Sequence, residues 1–168
     1  MRPTSGRVRE ALFSLLVQRL GGRAVLDCFA GAGTLGIEAA SRGASRVVFV
    51  ENEPQHLVLL RRNAALLDGV ASWELLASDV PLALHRLAAA SAPFDLVFVD
   101  PPYASQLGSD TLCAIAAEAD GLLGPGATVV IETDGRRPPP DDAGPLRCVD
   151  RRRYGPTGLS LYRDRRSP

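Results

Sequence analysis

The chain has 168 residues with 19 Arg, no Lys and 19 acidic residues, so its formal net charge is zero. This balance excludes a polybasic tail protein and an acidic disordered chain, and 46% hydrophobic with 23% charged residues is ordinary for a globular domain. No uncharged apolar run approaches the roughly 20 residues needed to span a bilayer, and charged residues stand where a signal peptide would be apolar. We therefore expect a cytoplasmic protein.

The three cysteines, Cys28, Cys113 and Cys148, are odd in number and far apart in the sequence. No CxxC or Cys/His spacing surrounds them, which argues against a disulfide framework and against a zinc site. We expect reduced thiols and no bound metal.

The zero net charge hides a segregation of charge along the chain. Residues 1–23 hold five Arg and one Glu (net +4), residues 24–135 hold five Arg and 14 acids (net −9), and residues 136–168 hold nine Arg and four Asp (net +5). Basic ends suggest a nucleic-acid partner, because the guanidinium group pairs with phosphate and stacks on bases. An Arg-rich composition without Lys is also what a GC-rich coding sequence produces, so charge alone leaves both explanations open.

The predicted elements alternate between helix and strand. Apolar residues at helical spacing from Val8 to Leu16 predict an amphipathic helix, which Gly21-Gly22 ends. Apolar runs and turn residues then predict strands over 24–29, 46–51, 73–77, 94–99 and 127–132, and helices over about 34–41, 54–67, 80–90 and 109–119. Because several of these strands are apolar on both faces, the pattern predicts a parallel sheet covered by helices on both sides.

The C-terminal part of the chain departs from this alternation. Residues 136–145 contain four prolines, which predict a loop without regular structure. Runs at 146–154 and 159–162, separated by Gly155-Pro156-Thr157-Gly158, predict an antiparallel hairpin at the sheet edge. We expect one α/β domain over 1–168 with a mostly parallel, seven-stranded sheet: a leading helix in 1–23, a parallel core in 24–135 and the edge hairpin in 146–162.

A glycine-rich segment follows the first predicted strand. Gly31-Ala32-Gly33-Thr34-Leu35-Gly36 is a literal GxGxxG that leads into a helix. Glu51 stands 20 residues after Gly31 at the end of the second strand, where an acidic residue can bind ribose hydroxyls. These two features alone are typical of a nicotinamide-dependent oxidoreductase.

Asp27 argues for a different cofactor. It ends the first strand four residues before Gly31, where a dinucleotide would place its pyrophosphate and two negative charges would repel. S-adenosylmethionine instead brings an ammonium and a sulfonium group. Gly31 and Gly33 would then let the backbone approach the methionine part, Glu51 would accept from both ribose hydroxyls, and Asp79 would meet the adenine amine. A turn without ligand for the glycines, a helix cap for Asp27 and a plain turn residue for Asp79 are the alternatives.

A second motif, Asp100-Pro101-Pro102-Tyr103, follows the fourth predicted strand at the edge where open α/β sheets bind ligands. The prolines fix φ and remove two amide donors, so the turn presents carbonyl acceptors and the Asp100 carboxylate toward one point. Such acceptors can grip the N–H groups of a planar exocyclic amine and align its nitrogen for methyl transfer, with Tyr103 stacked on the flat group.

The sequence resembles the bacterial RsmD-type methyltransferases. The similar segments are Arg2-Pro3-Thr4, 7–13, 27–36, Glu38-Ala39, 41–44, 100–103 and Tyr154-Gly155. The resemblance implies a Rossmann-like class I methyltransferase fold, S-adenosylmethionine as donor with S-adenosylhomocysteine as product, and methylation of guanine N2 in 16S ribosomal RNA, at position 966. It implies 16S rRNA or the small ribosomal subunit as partner, with no membrane and no obligate protein partner.

Site residues are carried over from the family position by position. The cofactor would be held by Asp27, Phe29, Gly31, Gly33, Glu51, Asn52, Asp79 and Val80, the guanine by Asp100, Pro101, Pro102 and Tyr103, and the RNA by Thr4, Arg7, Arg9 and Tyr154. Two departures stand out: Gly6 replaces the usual Asp, and only Met1 precedes Arg2-Pro3-Thr4, where the family usually has a Gly- and Arg-rich segment. Either the sequence begins short or this member binds RNA without that arm.

Other functions fit part of the pattern. A DNA adenine or a protein glutamine amide presents a comparable planar amine to the same fold, although glutamine methyltransferases typically carry Asn in place of Asp100. The nicotinamide-dependent oxidoreductase and a catalytically silent RNA-binding module also remain open. Nucleophilic catalysis has no support, because His56 and His85 lie in helical runs without a partner nucleophile, and surface positions or satisfied packing are expected for both.

Overall fold

The computed structural model describes residues 6–16, 20–102 and 106–166 of the chain. Within these residues, eight strands form one sheet in the order β3-β2-β1-β4-β5-β8-β7-β6. Their bounds are β1 Ala24–Cys28, β2 Arg46–Glu51, β3 Ser72–Ala77, β4 Phe94–Val99, β5 Leu123–Asp134, β6 Asp142–Ala143, β7 Leu146–Tyr154 and β8 Thr157–Asp164. Strands β1 to β5 pair in parallel, as predicted, and β8, β7 and β6 extend the sheet antiparallel beyond β5.

Helices cover both faces of the sheet. They are α1 Gly6–Leu16, α2 Thr34–Ser41, α3 Pro54–Ala64, α4 Val80–Ala89, α5 Leu107–Ala117 and α6 Ala119–Leu122, with a 3-10 turn at Ala65–Leu67 after α3. Helices α1, α2 and α3 bury their apolar residues on one face and α4, α5 and α6 on the other. The β4 side chains alternate between the two cores: Val97 and Val99 enter one, Leu96 and Phe98 the other. This confirms the predicted strands with two apolar faces.

The predicted count of seven strands is wrong by one. The additional strand, β6, lies inside 136–145, which was expected to lack regular structure. Ala143 pairs with Leu146 across a tight turn in which Gly144 has a φ of 51°. Two residues are too short for a hydrophobic alternation to be visible in the sequence. The β7–β8 turn is also shorter than predicted, since Thr157 already pairs with Tyr154.

Helix α1 runs antiparallel to β4. Leu16 lies beside Leu96 near the start of β4, whereas Leu12 lines a small pocket with Phe98 and Asp100 at its end. The N-terminal end of α1 therefore points toward the carboxyl edge of the parallel strands. The ring centroids of Phe13 and Phe98 are 5.7 Å apart, which fixes the helix on the sheet.

Strand β5 projects beyond its neighbour β4. Val99, the last residue of β4, pairs with Ile131, and β5 continues to Asp134 paired with β8 alone. At about 3.3 Å per residue, this extension stands roughly 10 Å above the end of β4. Together with the paired ends of β8 and β7, this extension forms a wall on one side of the carboxyl edge.

The three cysteines are free, as expected. No helix in the described part of the chain combines the length and the apolar character needed to cross a bilayer.

Gly36 joins α2 to the sheet at a contact that tolerates no side chain. A Cβ there would lie 2.8 Å from Val47 Cγ1 and would collide with the Phe49 ring. We predict that Gly36→Ala lowers the free energy of unfolding by about 1–3 kcal/mol, despite the higher helix propensity of Ala, when measured by urea denaturation. Gly21→Ala, which meets nothing within 4 Å, is the matched control, and an equal loss in both variants would contradict this packing argument.

Candidate active site

The glycine-rich segment forms a tight turn between β1 and α2. Phe29, Gly31 and Gly33 have φ angles of 60°, 55° and 82°, so the chain enters the left-handed region repeatedly. A Cβ on Gly33 would also lie 2.6 Å from Leu60 Cδ1 of α3. Both the backbone conformation and the packing therefore require glycine at position 33, whether or not a ligand binds.

Glu51 is buried at the end of β2 and ties this turn to the next loop. Its Oε2 accepts from Gly31 N at 2.8 Å, and its Oε1 accepts from Asn52 N at 2.9 Å and Glu53 N at 2.8 Å. A carboxylate offers about four acceptor positions. Among the described residues, these bonds leave about one acceptor position for a ligand, fewer than two ribose hydroxyls require.

Asp27 is 1% exposed and caps α2: its Oδ2 accepts from Gly36 N at 2.9 Å. Burial raises the pKa of the Asp27 carboxyl from 3.8 to about 8; the bond from Gly36 opposes the rise, and the charges of Asp100 and Glu51 add to it. The helix cap that was the alternative interpretation is therefore present, together with an accumulation of negative charge. A cationic ligand group at this edge would favour the ionised form of Asp27.

Asp100 is half-buried at the end of β4, and its backbone N–H donates to Cys28 O at 3.4 Å. The parallel register thus brings Asp27, Glu51 and Asp100 to one edge, from three adjacent strands. Pro101 lies beside Gly108 of α5, and Pro102 is exposed. Tyr103 lies outside the described residues. Within the described part of the chain, no group of acids, His and Cys has the geometry of a metal site.

The loops after β2 and β3 also meet at this edge. Asn52 Nδ2 donates to Asp79 Oδ1 at 2.6 Å. Asp79 is exposed at the start of α4, and the next residue, Val80, is buried in the core. The structure therefore brings Asn52, Asp79 and Val80 together beside Glu51.

The residues expected to contact RNA are more dispersed. Arg7 is exposed and Arg9 half-exposed on α1, whose N-terminal end points to the carboxyl edge, while Thr4 lies outside the described residues. Tyr154 is half-buried at the β7–β8 turn and packs against the core under α1. Two strands, β5 and β8, separate β7 from β4, so Tyr154 lies on the wall and away from the carboxylates.

Helix α3 supplies supporting residues that the sequence interpretation missed. Asn63 Nδ2 donates to Ala32 O at 2.9 Å and holds the glycine turn. The His56 side chain is 32% exposed, and its Nδ1 lies 3.5 Å from Glu51 Oε2 but makes no hydrogen bond among the described residues. The expected surface position or satisfied packing is therefore met only in part. The expectation holds for His85, which is exposed and pairs with Glu118 at 2.9 Å. The helical spacing of His56, Leu60 and Asn63 in the sequence could have indicated that these residues share the face of α3 that packs on the sheet.

A GxGxxG turn, an acidic residue at the end of β2 and an Asp-Pro-Pro turn on a sheet of this order define a Rossmann-like class I methyltransferase fold. The solved structure titled "Putative methyltransferase yhhF from Escherichia coli" superposes with a TM-score of 0.82 over 98% of this chain and 88% of that chain, at 28% identity. The rRNA methyltransferase aviRa from Streptomyces viridochromogenes, at 18% identity and a TM-score of 0.71 over 98% of this chain and 88% of its own, shares the fold.

Comparison of the sequence with known proteins points to one family. The family described as conserved hypothetical protein 95 matches residues 1–163. "Putative rRNA methyltransferase YlbH" of Bacillus subtilis is 32% identical over 168 residues, 98% of this chain and 88% of the relative. "Ribosomal RNA small subunit methyltransferase D" of Escherichia coli K12 is 35% identical over 134 residues, 80% of this chain and 65% of the relative. The chain therefore belongs to the RsmD-type methyltransferase family, which confirms the resemblance.

The raised pKa of Asp27 predicts a pH dependence of stability. The unfolded chain loses this proton near pH 3.8 and the ligand-free folded protein near pH 8, so the contribution of Asp27 is fully present below pH 3.8 and is lost as the pH rises to about 8. Asp27→Asn keeps an acceptor for Gly36 N–H but cannot ionise. We expect its stability relative to wild type to rise with pH across this window in urea denaturation.

The exposed Asp110→Asn is the matched control and should follow the wild-type curve. Parallel curves for Asp27→Asn and wild type would show that Asp27 is ionised in the folded protein throughout.

Proposed function

We propose that the protein is an S-adenosylmethionine-dependent methyltransferase that methylates the exocyclic N2 of a guanine in 16S rRNA, at position 966. The observation that carries the proposal is the convergence of Asp27, Glu51 and Asp100 at one sheet edge beside an Asp-Pro-Pro turn. Membership of the RsmD-type family supports it, as do the names of the relatives.

The chemistry of the edge favours this cofactor over a dinucleotide. A pyrophosphate at the glycine turn would face the charges of Glu51 and Asp100, and it would make ionisation of the buried Asp27 still less favourable. The ammonium group of S-adenosylmethionine would instead be attracted by the negative charge of these acids. The residues present therefore fit S-adenosylmethionine, which supplies an electrophilic methyl group when bound.

Different parts of the edge would hold different parts of the cofactor. Asp27 and the turn at Phe29, Gly31 and Gly33 would face the methionine part. Glu51 has acceptor capacity for one ribose hydroxyl, so a second hydroxyl needs another partner. Asn52, Asp79 and Val80 would line the adenine side.

The Asp-Pro-Pro turn would hold the target amine. The amine lone pair of guanine is delocalised into the ring, so the nitrogen needs acceptors that orient its N–H groups before it can attack. Asp100 and the Pro101 carbonyl would accept from those groups, and Tyr103 would stack on the base. S-adenosylmethionine would supply the methyl group and leave as S-adenosylhomocysteine, and the methylated nitrogen would lose one proton to solvent. A base inside a helix would first have to be flipped out.

The test is to incubate the protein with methyl-labelled S-adenosylmethionine and small ribosomal subunits from cells that lack the enzyme. We expect label in 16S rRNA, mapped by mass spectrometry to the N2 of one guanine. Label in protein or DNA alone would overturn the proposal in favour of a glutamine or adenine methyltransferase. Binding of NAD without binding of S-adenosylhomocysteine would instead favour the oxidoreductase, and absence of turnover with every RNA would favour a silent RNA-binding module.

Cofactor binding is expected to release a proton. At pH 7 the ligand-free protein holds a proton on Asp27, whose pKa is about 8, and the ammonium of S-adenosylhomocysteine favours its loss. Calorimetry at this pH in buffers of different ionisation enthalpy should therefore show release of up to one proton. Asp27→Asn should show none, and equal release in both proteins would assign the proton to another group.

Asp100→Ala should remove methyl transfer while leaving cofactor binding intact, because the residue is assigned to the acceptor amine. We expect a loss of at least about 100-fold in kcat/KM for the RNA. Calorimetric affinity for S-adenosylhomocysteine should stay within about threefold of wild type, a difference of less than about 0.7 kcal/mol. Asp110→Ala, which removes an exposed carboxylate of α5, is the control and should keep both activity and cofactor affinity. A large loss of cofactor affinity in Asp100→Ala would move Asp100 from the amine to the cofactor.

A further inference from the structure

We propose that Arg136, Arg137 and Arg153, here called the arginine tip, bind the phosphate backbone of the RNA strand that carries the target nucleotide. This inference rests on the proposed function and adds to it the surface that holds the substrate. The three side chains are exposed. They lie at the top of the wall formed by β5, β8 and β7.

The arginine tip is held in a defined place by two joined turns. Thr157 pairs with Asp134, and Gly135 N donates to Pro156 O at 2.8 Å, so the turn after β5 and the β7–β8 turn form one unit. The stem of Arg153 packs on this unit: a Cβ on Gly135 would lie 3.0 Å from Arg153 Cγ. Because β5 neighbours β4, the unit stands beside and above Asp100 and does not lie on a remote surface.

The charge of the arginine tip is available to a ligand, in contrast to much of the C-terminal charge. Arg151 pairs with Asp141 at 2.8 Å and Arg152 with Asp150 at 3.0 Å. Arg165 and Arg166 also pair with carboxylates. Within the described residues, no ion pair joins Arg136, Arg137 or Arg153 to a carboxylate. Arg153 Nε donates to Gly155 O at 3.0 Å, which leaves most of its five guanidinium N–H donors for a phosphate.

Charge complementarity also fixes the direction from which an RNA strand can approach. The carboxylates of Glu51 and Asp100 repel phosphate, so a strand whose base reaches Asp100 must keep its backbone away from that edge. The arginine tip offers the backbone a cationic contact roughly 10 Å above the end of β4, estimated from the length of the β5 extension.

The chain provides a matched set of arginines for comparison. Arg147 and Arg163 face each other across β7 and β8, away from the β7–β8 turn, and Arg86 is exposed in the last turn of α4. Among the described residues, no ion pair joins these three to a carboxylate either. They carry the same charge as the arginine tip and differ from it in position.

The experiment compares two triple variants of the full chain. One is Arg136→Gln/Arg137→Gln/Arg153→Gln, in which Gln keeps the stem that packs on Gly135; the other is Arg86→Gln/Arg147→Gln/Arg163→Gln. Affinity for 16S rRNA transcribed in vitro is measured at about 50 mM and about 200 mM salt. Affinity for S-adenosylhomocysteine is measured for each protein as a test of folding.

We expect the arginine-tip variant to bind RNA at least about tenfold more weakly at low salt, with the slope of log affinity against log salt reduced by about 2, because three phosphate contacts are lost. The control triple should lose less than about threefold. Both should bind S-adenosylhomocysteine like wild type. Should the first triple lose that affinity, Arg136→Gln/Arg137→Gln, which leaves Arg153 in place, should still reduce the slope by about 1.

Equal losses in the two triples, or unchanged RNA binding in the arginine-tip variants, would overturn the inference. If wild type still methylates 16S rRNA in that case, the proposed function stands and overall charge holds the substrate. If wild type neither binds nor methylates rRNA, both the inference and the RNA substrate of the proposed function fail.

Discussion

The sheet buries the Asp27 carboxyl at the end of β1 and holds it against the backbone N–H of Gly36. Two further acids, Glu51 and Asp100, end the adjacent strands, because parallel strands bring their carboxyl ends to the same edge. Because Asp27 is buried beside these acids, its carboxyl keeps a proton unless a cation nearby stabilises the ionised form. The same constraint explains the raised pKa of Asp27 and the closeness of α2 to the sheet, and the proposed preference for a cationic ligand over a pyrophosphate rests on it.

Two kinds of surface meet at this edge. The acids end parallel strands at the edge proposed to bind a cationic cofactor and an amine. The arginines of the tip form no ion pair with a carboxylate among the described residues, and they stand on the antiparallel extension at the top of the wall. The segregation of charge along the chain therefore becomes a segregation in space over a short distance. It lets one edge attract both a cation and, beside it, a polyanion, which a uniformly charged surface could not do.

Much of the architecture could be predicted because it depends on local patterns. The bounds of α2, β2 and β4 agree with the prediction, since each is a strongly periodic or continuously apolar run with turn residues at its ends. β6 could not be predicted, because it consists of two residues held by pairing with β7. The unsatisfied Nδ1 of His56 was equally invisible, because it depends on how α3 approaches Glu51.

The sequence by itself determined the alternation of strands and helices, the glycine turn, the placement of acids at strand ends and the family. Those features follow from the order of residue types along the chain. Only the tertiary structure decided how many acceptor positions of Glu51 are taken by Gly31, Asn52 and Glu53, and which arginines of the described residues pair with a carboxylate. Hydrogen bonds and ion pairs between distant segments depend on register and approach, which no local pattern encodes. The segregation of charge along the chain could therefore be read from the sequence, whereas the closeness in space of the acidic edge and the arginine tip could not.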